Sequence, residues 1–400
     1  MRCDLKPPAH FLQPVAGTSM SQNIPNNCDD VLILSEDLDY HGVAVRWGLE
    51  QMGVACTWWD RSEFPRSQRL SAWVADEKTR FECSDSDISL APGRYRTIWN
   101  RRGQVPQVAD SLNHSDRVVA KNESAYVLNS LGQMLSSANP DALIVNRFCQ
   151  ARAANPKLQQ LSIARDLGFR VPSTLVSNDP IQIRAFFAEH HGAVVAKQHI
   201  PFAWRTREGE LLITATTALE PKHLEDDAAL AASPMIYQEL LPIRSEIRLI
   251  AFGRTFFAMN QVREAPVKRE GFVDIRYENV DRHAFTVDAQ LAGLCRAYMN
   301  ATGLVYAAFD IAQAPDGGYI FIEANESGQF LFLEELVPDL TVLDAFCQFL
   351  ASGDPEFRYL RDTGLRFADF ERTNVALRFH ERYSRHMKES KVSSPFELAE

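Results

Sequence analysis

This chain of 400 residues lacks the features that would tie it to a membrane, to nucleic acid or to a structural metal. It has no Cys-x-x-Cys pair and no Cys/His ligand spacing, which argues against structural zinc. Its seven scattered cysteines are typical of reduced cytosolic thiols. The sequence shows no signal-peptide pattern, no apolar run long enough to span a bilayer, and no long basic run to offset its formal net charge of −10. We therefore expect a cytoplasmic protein with no membrane or nucleic-acid partner.

Two common enzyme signatures are also missing. No Gly-x-Gly-x-x-Gly follows the first strand candidate, Val31–Leu34, so a dinucleotide-binding domain lacks its main support. No Ser/His or Cys/His arrangement indicates a nucleophile on the enzyme. The composition, with 46% hydrophobic and 24% charged residues, is that of an ordinary globular protein, and the length suggests two or three domains.

Strand and helix signals alternate along the chain and divide it into segments. After residue 30 they follow the pattern of a small doubly wound α/β domain. Asn155-Pro156 and Asp179-Pro180 are typical helix starts, with the polar residue as N-cap and Pro in the first turn. We expect a flexible tail at 1–29, an α/β domain at 30–146, further segments at 147–234 and 235–385, and a polar tail at 386–400.

The most informative segment is a predicted hairpin at residues 306–325. Two β-rich runs flank Pro315-Asp316-Gly317-Gly318, which is typical of a turn. If these four residues form the loop, Asp310 pairs with Glu323, and Asn325 lies on the same face as Glu323. Two carboxylates about 5 Å apart repel each other by roughly 3 kcal/mol at an effective dielectric of about 20, so a cation is expected between them. These oxygen ligands suit Mg²⁺; an exposed hairpin with ordinary surface acids is the alternative.

Two lysines are candidates for binding an anion. Lys197 ends an apolar strand candidate, where a lysine either extends to solvent or supplies a point charge for a phosphate. Lys157 lies in the first turn of its predicted helix, where the helix dipole disfavours a cation and so hints at a bound anion. A solvated lysine is the alternative reading of Lys157.

A third set of candidates surrounds a linker that contains Pro242. A strand candidate ends near Leu240 and another begins near Glu246. Backbone groups in such a linker can bind an adenine edge, and a carboxylate can accept ribose hydroxyls; a loop with surface acids is the alternative. Arg248 and Arg276 can bind phosphate oxygens bidentately, or else form salt bridges with the many acids.

In order and approximate spacing, these residues resemble the ATP-grasp ligases. The resemblance implies an α/β (α+β) ATP-grasp fold with an N-terminal pre-ATP-grasp domain at 30–146, a central subdomain at 147–234 and a C-terminal subdomain at 235–385. It also implies ATP and Mg²⁺, with two ions expected. The implied roles are ATP phosphates for Lys157 and Lys197, adenine for Gln238, Glu239, Leu240 and Leu241, ribose for Glu246, catalysis at the transferring phosphate for Arg276 and Arg248, and metal binding for Asp310, Glu323 and Asn325.

Within the ATP-grasp ligases, the sequence resembles the microviridin-type (graspetide) peptide maturases in particular. This resemblance rests on Trp99-Asn-Arg-Arg102, Asn146-Arg-Phe, the segments that begin at Asn155 and Val171, and Asn325-Glu-Ser-Gly-Gln329. These relatives join Ser, Thr or Lys side chains to Asp or Glu side chains of a ribosomal precursor peptide. One departure from many ATP-grasp enzymes is a phosphate loop poor in glycine, because Gly209 is the only glycine from Gln198 to Glu210; the microviridin-type enzymes are not Gly-rich there either.

The resemblance implies an ATP-dependent ligase that forms ester or amide macrocycles in a precursor peptide through an acyl phosphate. Family members often dimerise, so a homodimer is also expected. Arg101 and Arg102 either contact an acidic peptide or form structural salt bridges. The alternatives are an amino-acid or glutamate ligase of the ribosomal-protein-modifying type, and a non-catalytic nucleotide- and peptide-binding module.

Overall fold

The computed structural model describes residues 31–75, 78–83, 95–102, 105–199, 203–205, 211–213, 216–262 and 280–389. Arg276 and the expected tail at 1–29 lie outside these residues. Within these ranges, no helix is both long enough and apolar enough to cross a membrane.

The N-terminal segment forms a four-stranded parallel sheet in the order β2-β1-β5-β6. Its elements are β1 (Val31–Leu34), α1 (Tyr40–Gln51), β2 (Cys56–Trp59), the β3 (Leu70–Ala75) and β4 (Lys78–Cys83) hairpin, β5 (Thr97–Asn100), α2 (His114–Ala138), β6 (Leu143–Val145) and α3 (Phe148–Ala154). β1 is apolar at every position because both of its faces are covered. Val31 and Ile33 face one core with α1, whereas Leu32 and Leu34 face another with α2. The predicted doubly wound α/β pattern is confirmed.

The central segment forms an antiparallel sheet in the order β11-β8-β12-β7. Its elements are α4 (Lys157–Asp166), β7 (Thr174–Ser177), α5 (Pro180–Glu189), β8 (Val194–Lys197), the pair β9 (Ala203–Arg205) and β10 (Leu211–Ile213), β11 (Thr217–Ala218), α6 (Asp227–Ala231) and β12 (Met235–Glu239). Asp179 caps α5 as predicted, accepting a hydrogen bond from Ile181 N at 2.8 Å. The predicted cap of α4 is wrong by one residue. Pro156 is the cap, and the Asn155 side chain donates instead to Glu326 Oε1 at 3.1 Å.

The C-terminal segment forms a five-stranded antiparallel sheet in the order β15-β14-β13-β16-β17. Its elements are β13 (Ser245–Phe252), β14 (Thr255–Val262), β15 (Asp281–Ala284), α7 (Ala289–Thr302), β16 (Tyr306–Gln313), β17 (Tyr319–Asn325), α8 (Leu331–Leu336), α9 (Val342–Ser352), α10 (Phe367–Glu371) and α11 (Asn374–Glu389). Asp288 caps α7 and Gly303 ends it in the left-handed conformation. α7 covers one face of this sheet. The opposite face packs against α9 at one end, and Arg248 and Asp310 lie farther along it.

One hydrophobic core joins the first and last segments. Phe346 of α9 contacts Trp99 of the parallel sheet, with ring centroids 5.1 Å apart, and Phe252 of the antiparallel sheet at 5.4 Å. α9 also packs against α1, and all of these elements belong to one buried cluster. Because burial of aromatic area dominates core energetics, this cluster fixes the carboxyl ends of the parallel strands relative to the β16–β17 hairpin.

Candidate functional site

The β16–β17 hairpin has the predicted pairing of Asp310 with Glu323, but its loop is shorter than the turn sequence predicts. Ala314 N donates to Gly318 O at 2.9 Å, so the loop has three residues rather than the predicted four. The register then shifts between Asp310 and Ile311, which leaves Ile322 as an extra residue on β17. This β-bulge restores the pairing of Asp310 with Glu323. Without it, a three-residue loop would pair Asp310 with the residue before Glu323.

Each of the two carboxylates is paired with a cationic side chain, and the two cations lie on opposite sides of the pair. Arg248 Nη1 lies 2.8 Å from Asp310 Oδ1, and these two residues are also register partners on β13 and β16. Lys157 Nζ lies 2.5 Å from Glu323 Oε2. Burial and the neighbouring Glu323 raise the pKa of Asp310, and the charge of Arg248 opposes that rise. Burial acts in the same direction on Glu323, but Lys157, Lys197 and Arg248 outweigh it and lower its pKa.

Lys197, at the end of β8, belongs to the same charged group. Burial lowers its pKa, the charge of Glu323 opposes that shift, and the positive charge of Lys157 adds to it. The structure therefore brings lysines from two separate segments to the Asp310–Glu323 pair. Three basic side chains, Arg248, Lys157 and Lys197, thus lie near two carboxylates, an arrangement that suits a further anion such as a phosphate.

The donor set suits Mg²⁺ that shares its ligands with phosphate. Among the described residues, no group of three or more His, Cys, Asp or Glu side chains is placed to hold a metal ion without help. The hairpin offers two carboxylates and the amide of Asn325, which pairs with Ala308 on the strand face that carries Asp310. Asn325 Oδ1 accepts a hydrogen bond from Ser327 N at 3.0 Å. Such a set of hard oxygen donors fits Mg²⁺ when substrate phosphates complete the coordination.

An apolar patch lies on the same strand face, toward the hairpin turn. It consists of Ala312, Ala314 and Ile320, with Leu241, Ile243 and Ile322 packed against them. The linker after β12 thus contributes its side chains to the patch. Along β13, Glu246 pairs with Ala312 of the patch, and Arg248 pairs with Asp310. Glu246 therefore stands about 7 Å from Arg248, beside the end of the patch nearest the carboxylates.

Two backbone N–H groups of the predicted adenine linker are hydrogen-bonded within the central segment. Glu239 N donates to Ser173 O at 3.0 Å, and Leu240 N donates to Ala193 O at 2.8 Å. Gln238 is buried and donates through Nε2 to Thr174 Oγ1 at 2.9 Å. These contacts anchor the linker, and they leave the side chain of Leu241 facing the apolar patch.

Sequence reasoning gave no role to Gln160, which ties α4 to β17. Its Nε2 donates to Ala324 O at 2.8 Å and to Ala154 O at 2.9 Å, and its Oε1 accepts from Ala324 N at 3.2 Å. Ala324 lies between Glu323 and Asn325. Gln160 thus fixes the distance between the helix that carries Lys157 and the strand that carries Glu323. Its position three residues after Lys157, on the same helix face, was the available signal.

We expect Gln160→Leu to lower the free energy of unfolding by about 2–4 kcal/mol, because it leaves buried backbone groups of Ala324 and Ala154 without a partner. Urea denaturation measures the loss. The adjacent Gln159→Leu, on the exposed side of α4, makes the same chemical change and should stay within about 0.5 kcal/mol of the unmodified chain. Equal effects of the two substitutions would contradict the role of Gln160.

Buried polar residues of the N-terminal domain fix the loop at residues 326–330, which follows β17. Arg101 pairs with Asp39 at 3.2 Å and donates to Ser327 O. His41 Nε2 accepts hydrogen bonds from two backbone N–H groups at the start of α8, at 3.0 and 3.2 Å. Burial and the nearby charge of Arg101 keep the pKa of His41 well below its usual value, so the ring stays neutral. Of the two roles predicted for Arg101, the structure shows the structural one, because Arg101 contacts Asp39 and the backbone of Ser327.

Comparison with solved structures shows the fold. The chain matches the macrocyclase MdnB from Microcystis aeruginosa MRC at 26% identity and TM-score 0.66, over 80% of this chain and 99% of that one. It matches a Chryseobacterium gregarium RiPP-associated ATP-grasp ligase in complex with ADP and a leader and core peptide, at 22% identity and TM-score 0.71 over 83% and 100%. It also matches the ATP-grasp ligase PsnB complexed with a precursor variant, Mg and ADP, at 23% identity and TM-score 0.65 over 82% and 99%.

No protein-family model matches the sequence, and a comparison with curated proteins found no match. The structural matches nevertheless extend over about four fifths of the chain and almost the whole of each matched protein. The chain therefore has the ATP-grasp fold, in the arrangement shared by peptide macrocyclases and RiPP-associated ligases.

Proposed function

We propose that this chain is an ATP-dependent ligase that forms side-chain ester or amide crosslinks, and thus macrocycles, in a ribosomally made precursor peptide. One observation carries the proposal. One face of the five-stranded sheet presents an apolar patch with Glu246 at its edge, and next to it the carboxylates Asp310 and Glu323 with their cationic partners. This order matches the base, ribose and phosphates of ATP.

The resemblance to macrocyclases and the printed complexes support the same assignment. The matched C. gregarium and PsnB structures hold ADP, and the PsnB complex also holds Mg. In this chain, Leu241 and the patch would accept adenine, and Glu246 would accept ribose hydroxyls. Lys157 and Lys197 would bind the phosphates. We also propose two Mg²⁺ ions at Asp310, Glu323 and Asn325, and association of two copies of the chain.

The reaction requires a positioned carboxylate rather than an enzyme nucleophile. A carboxylate oxygen of the peptide attacks the γ-phosphorus of ATP, and the bond to the β-phosphate oxygen breaks to release ADP. Arg248 stabilises the charge on the transferring phosphoryl group, and we propose the same for Arg276, which lies outside the described residues. A Ser, Thr or Lys side chain of the same peptide then attacks the acyl phosphate, phosphate leaves, and the nucleophile loses its proton to phosphate or solvent. Mg²⁺, when bound, neutralises phosphate charge.

Incubation of the protein with ATP, Mg²⁺ and the precursor peptide encoded beside it should lower the peptide mass by one water for each crosslink, with one ADP formed per crosslink. Mass spectrometry and an ADP assay measure the two quantities together. Addition of free amino acids with no loss of water would favour the amino-acid or glutamate ligase instead. Binding of Mg·ADP and peptide without ADP formation would favour the non-catalytic module.

A further inference from the structure

His41, in the first turn of α1, contacts the loop at residues 326–330 from the N-terminal domain. The residue is 7% exposed, and its ring meets the Phe330 ring edge to face, with centroids 5.0 Å apart. Its Nε2 atom accepts two hydrogen bonds, from Phe330 N at 3.0 Å and from Leu331 N at 3.2 Å. Two N–H donors at one ring nitrogen require that this nitrogen carries no proton, and the lowered pKa of His41 agrees with a neutral ring.

One of these hydrogen bonds shares a peptide group with a contact of Arg248. The peptide group between Gln329 and Phe330 donates through its N–H to His41, and its C=O accepts a hydrogen bond from Arg248 Nη2 at 2.9 Å. Because a peptide group is planar, its C=O and N–H keep a fixed relative orientation. A rotation of the plane that breaks the bond to His41 therefore also turns the carbonyl oxygen away from Arg248. His41 and Arg248 are linked through a single rigid unit.

Within the described residues, two acceptors hold the guanidinium group of Arg248. One is the Gln329 carbonyl, and the other is Asp310 Oδ1, which lies 2.8 Å from Nη1. The Nε atom of Arg248 is buried and has no hydrogen-bond partner in this part of the chain. Asp310 is also a candidate ligand for Mg²⁺, so the Gln329 carbonyl is the acceptor that Arg248 does not have to share with a metal. The orientation of this carbonyl thus acts directly on the guanidinium group.

The loop is also held one residue before this peptide group. Tyr306 Oη donates to Gly328 O at 2.7 Å, from a strand of the C-terminal sheet. Since Gly328 is fixed independently of the N-terminal domain, loss of the acceptor at His41 would free mainly the peptide group between Gln329 and Phe330. The effect of such a loss should therefore be concentrated at Arg248.

We propose that His41 is a positioning residue for phosphoryl transfer, because it orients the peptide group that holds the Arg248 guanidinium toward the transferring phosphoryl group. The inference rests on the proposed function and deepens it, since it gives the N-terminal domain a part in the chemistry at the C-terminal sheet. A displacement of about 1 Å at a reacting group typically costs about a hundredfold in rate. A contact that lies one peptide group away from Arg248 is therefore close enough to control turnover.

Three substitutions at His41 test the position of the acceptor atom. Gln carries its side-chain oxygen as many bonds from Cα as the ring carries Nε2, so His41→Gln keeps an acceptor for the two N–H groups. His41→Asn has the same amide, but its oxygen falls one bond short, and His41→Leu has no acceptor. We expect single-turnover ADP formation with the precursor peptide to stay within about threefold of the unmodified chain in His41→Gln, and to be at least about tenfold slower in His41→Asn and His41→Leu.

The loss should appear in the rate of the chemical step and not in binding. Mg·ADP lacks the transferring phosphoryl group, so its affinity should stay within about twofold in all three variants, as should the KM for the peptide. Thr97→Val is the matched control for a buried polar contact between the same two parts of the chain. Thr97 Oγ1 donates to Leu350 O at 2.6 Å, and this contact involves no residue of the loop at 326–330. We expect Thr97→Val to lower the urea midpoint as His41→Leu does, with ADP formation within about twofold of the unmodified chain.

Equal rates for His41→Gln and His41→Asn would overturn the proposal, as would a loss of rate in Thr97→Val equal to that in His41→Leu. The effect would then follow stability and not the position of the acceptor. A crystal structure of His41→Leu gives a readout without turnover. We expect the contact between Arg248 Nη2 and Gln329 O to be lost, and retention of its 2.9 Å distance would also contradict the inference. If the unmodified chain forms no ADP with the peptide, the proposed function fails, whereas a displaced Arg248 in this crystal structure would still establish the link between His41 and Arg248.

Discussion

Asp310→Asn should reduce ADP formation in the presence of the precursor peptide by about 10²–10³-fold. Asp310 is the carboxylate that faces both Glu323 and Arg248 on the polar face of the sheet. An Asn side chain keeps the shape but lacks the charge that Mg²⁺ and Arg248 require. Loss of one preorganised electrostatic partner at a transferring group typically has an effect of this size. Single-turnover ADP release, measured over a range of Mg²⁺ concentrations, tests the expectation.

The same hairpin supplies a control for this substitution. Asp316, in the turn, is exposed and pairs with Arg170 at 2.9 Å. Asp316→Asn makes the same chemical change about six residues away, and we expect turnover within about twofold of the unmodified chain. Turnover by Asp310→Asn at the level of Asp316→Asn would remove Asp310 from the metal site, and with it the assignment of this face to ATP phosphates.

The positions of the two hairpin strands could be predicted from the sequence. The Asp310–Glu323 pair was also predicted correctly, but from a wrong loop length. Turn residues and β-rich runs indicated where the two strands lie. The four-residue loop that gave the Asp310–Glu323 pair is wrong, and the pair forms because a three-residue loop is followed by a bulge at Ile322. A bulge depends on how the whole strand packs, since Phe321 must reach the α7 side while Glu323 stays on the polar side.

Contacts between residues far apart in the sequence could not be predicted either, because they depend on how whole strands and helices pack. The sequence offered Arg248 for phosphate or for salt bridges, and only the β13–β16 register places it opposite Asp310. The contacts of Gln160 and Arg101 join segments more than 150 residues apart. The sequence does not show which groups these side chains contact, because several of the partners are backbone groups whose positions depend on the completed fold.

Gly328→Ala should slow turnover by about a hundredfold and lower the free energy of unfolding by about 1–3 kcal/mol. A Cβ atom at this position would lie 2.5 Å from Ala308 Cβ and 2.9 Å from Arg248 Nη2. Ala308 is on a central strand and cannot move aside, so the loop at 326–330 must shift. That shift would disturb the hydrogen bond of 2.7 Å from Tyr306 Oη to Gly328 O and displace Arg248 from Asp310.

Gly293→Ala, in α7, is the control for the added methyl group, because a Cβ at Gly293 meets no atom within 4 Å. Alanine favours the helix, so this variant should be as stable as the unmodified chain or more stable by about 0.5–1 kcal/mol, with turnover unchanged. Urea denaturation and ADP release measured on both variants show whether the loop at 326–330 can accept an added methyl group without loss of stability or turnover. Unchanged turnover in Gly328→Ala would show that the loop can retreat without moving Arg248. The contact between the loop and the sheet would then have no part in positioning the reacting phosphate.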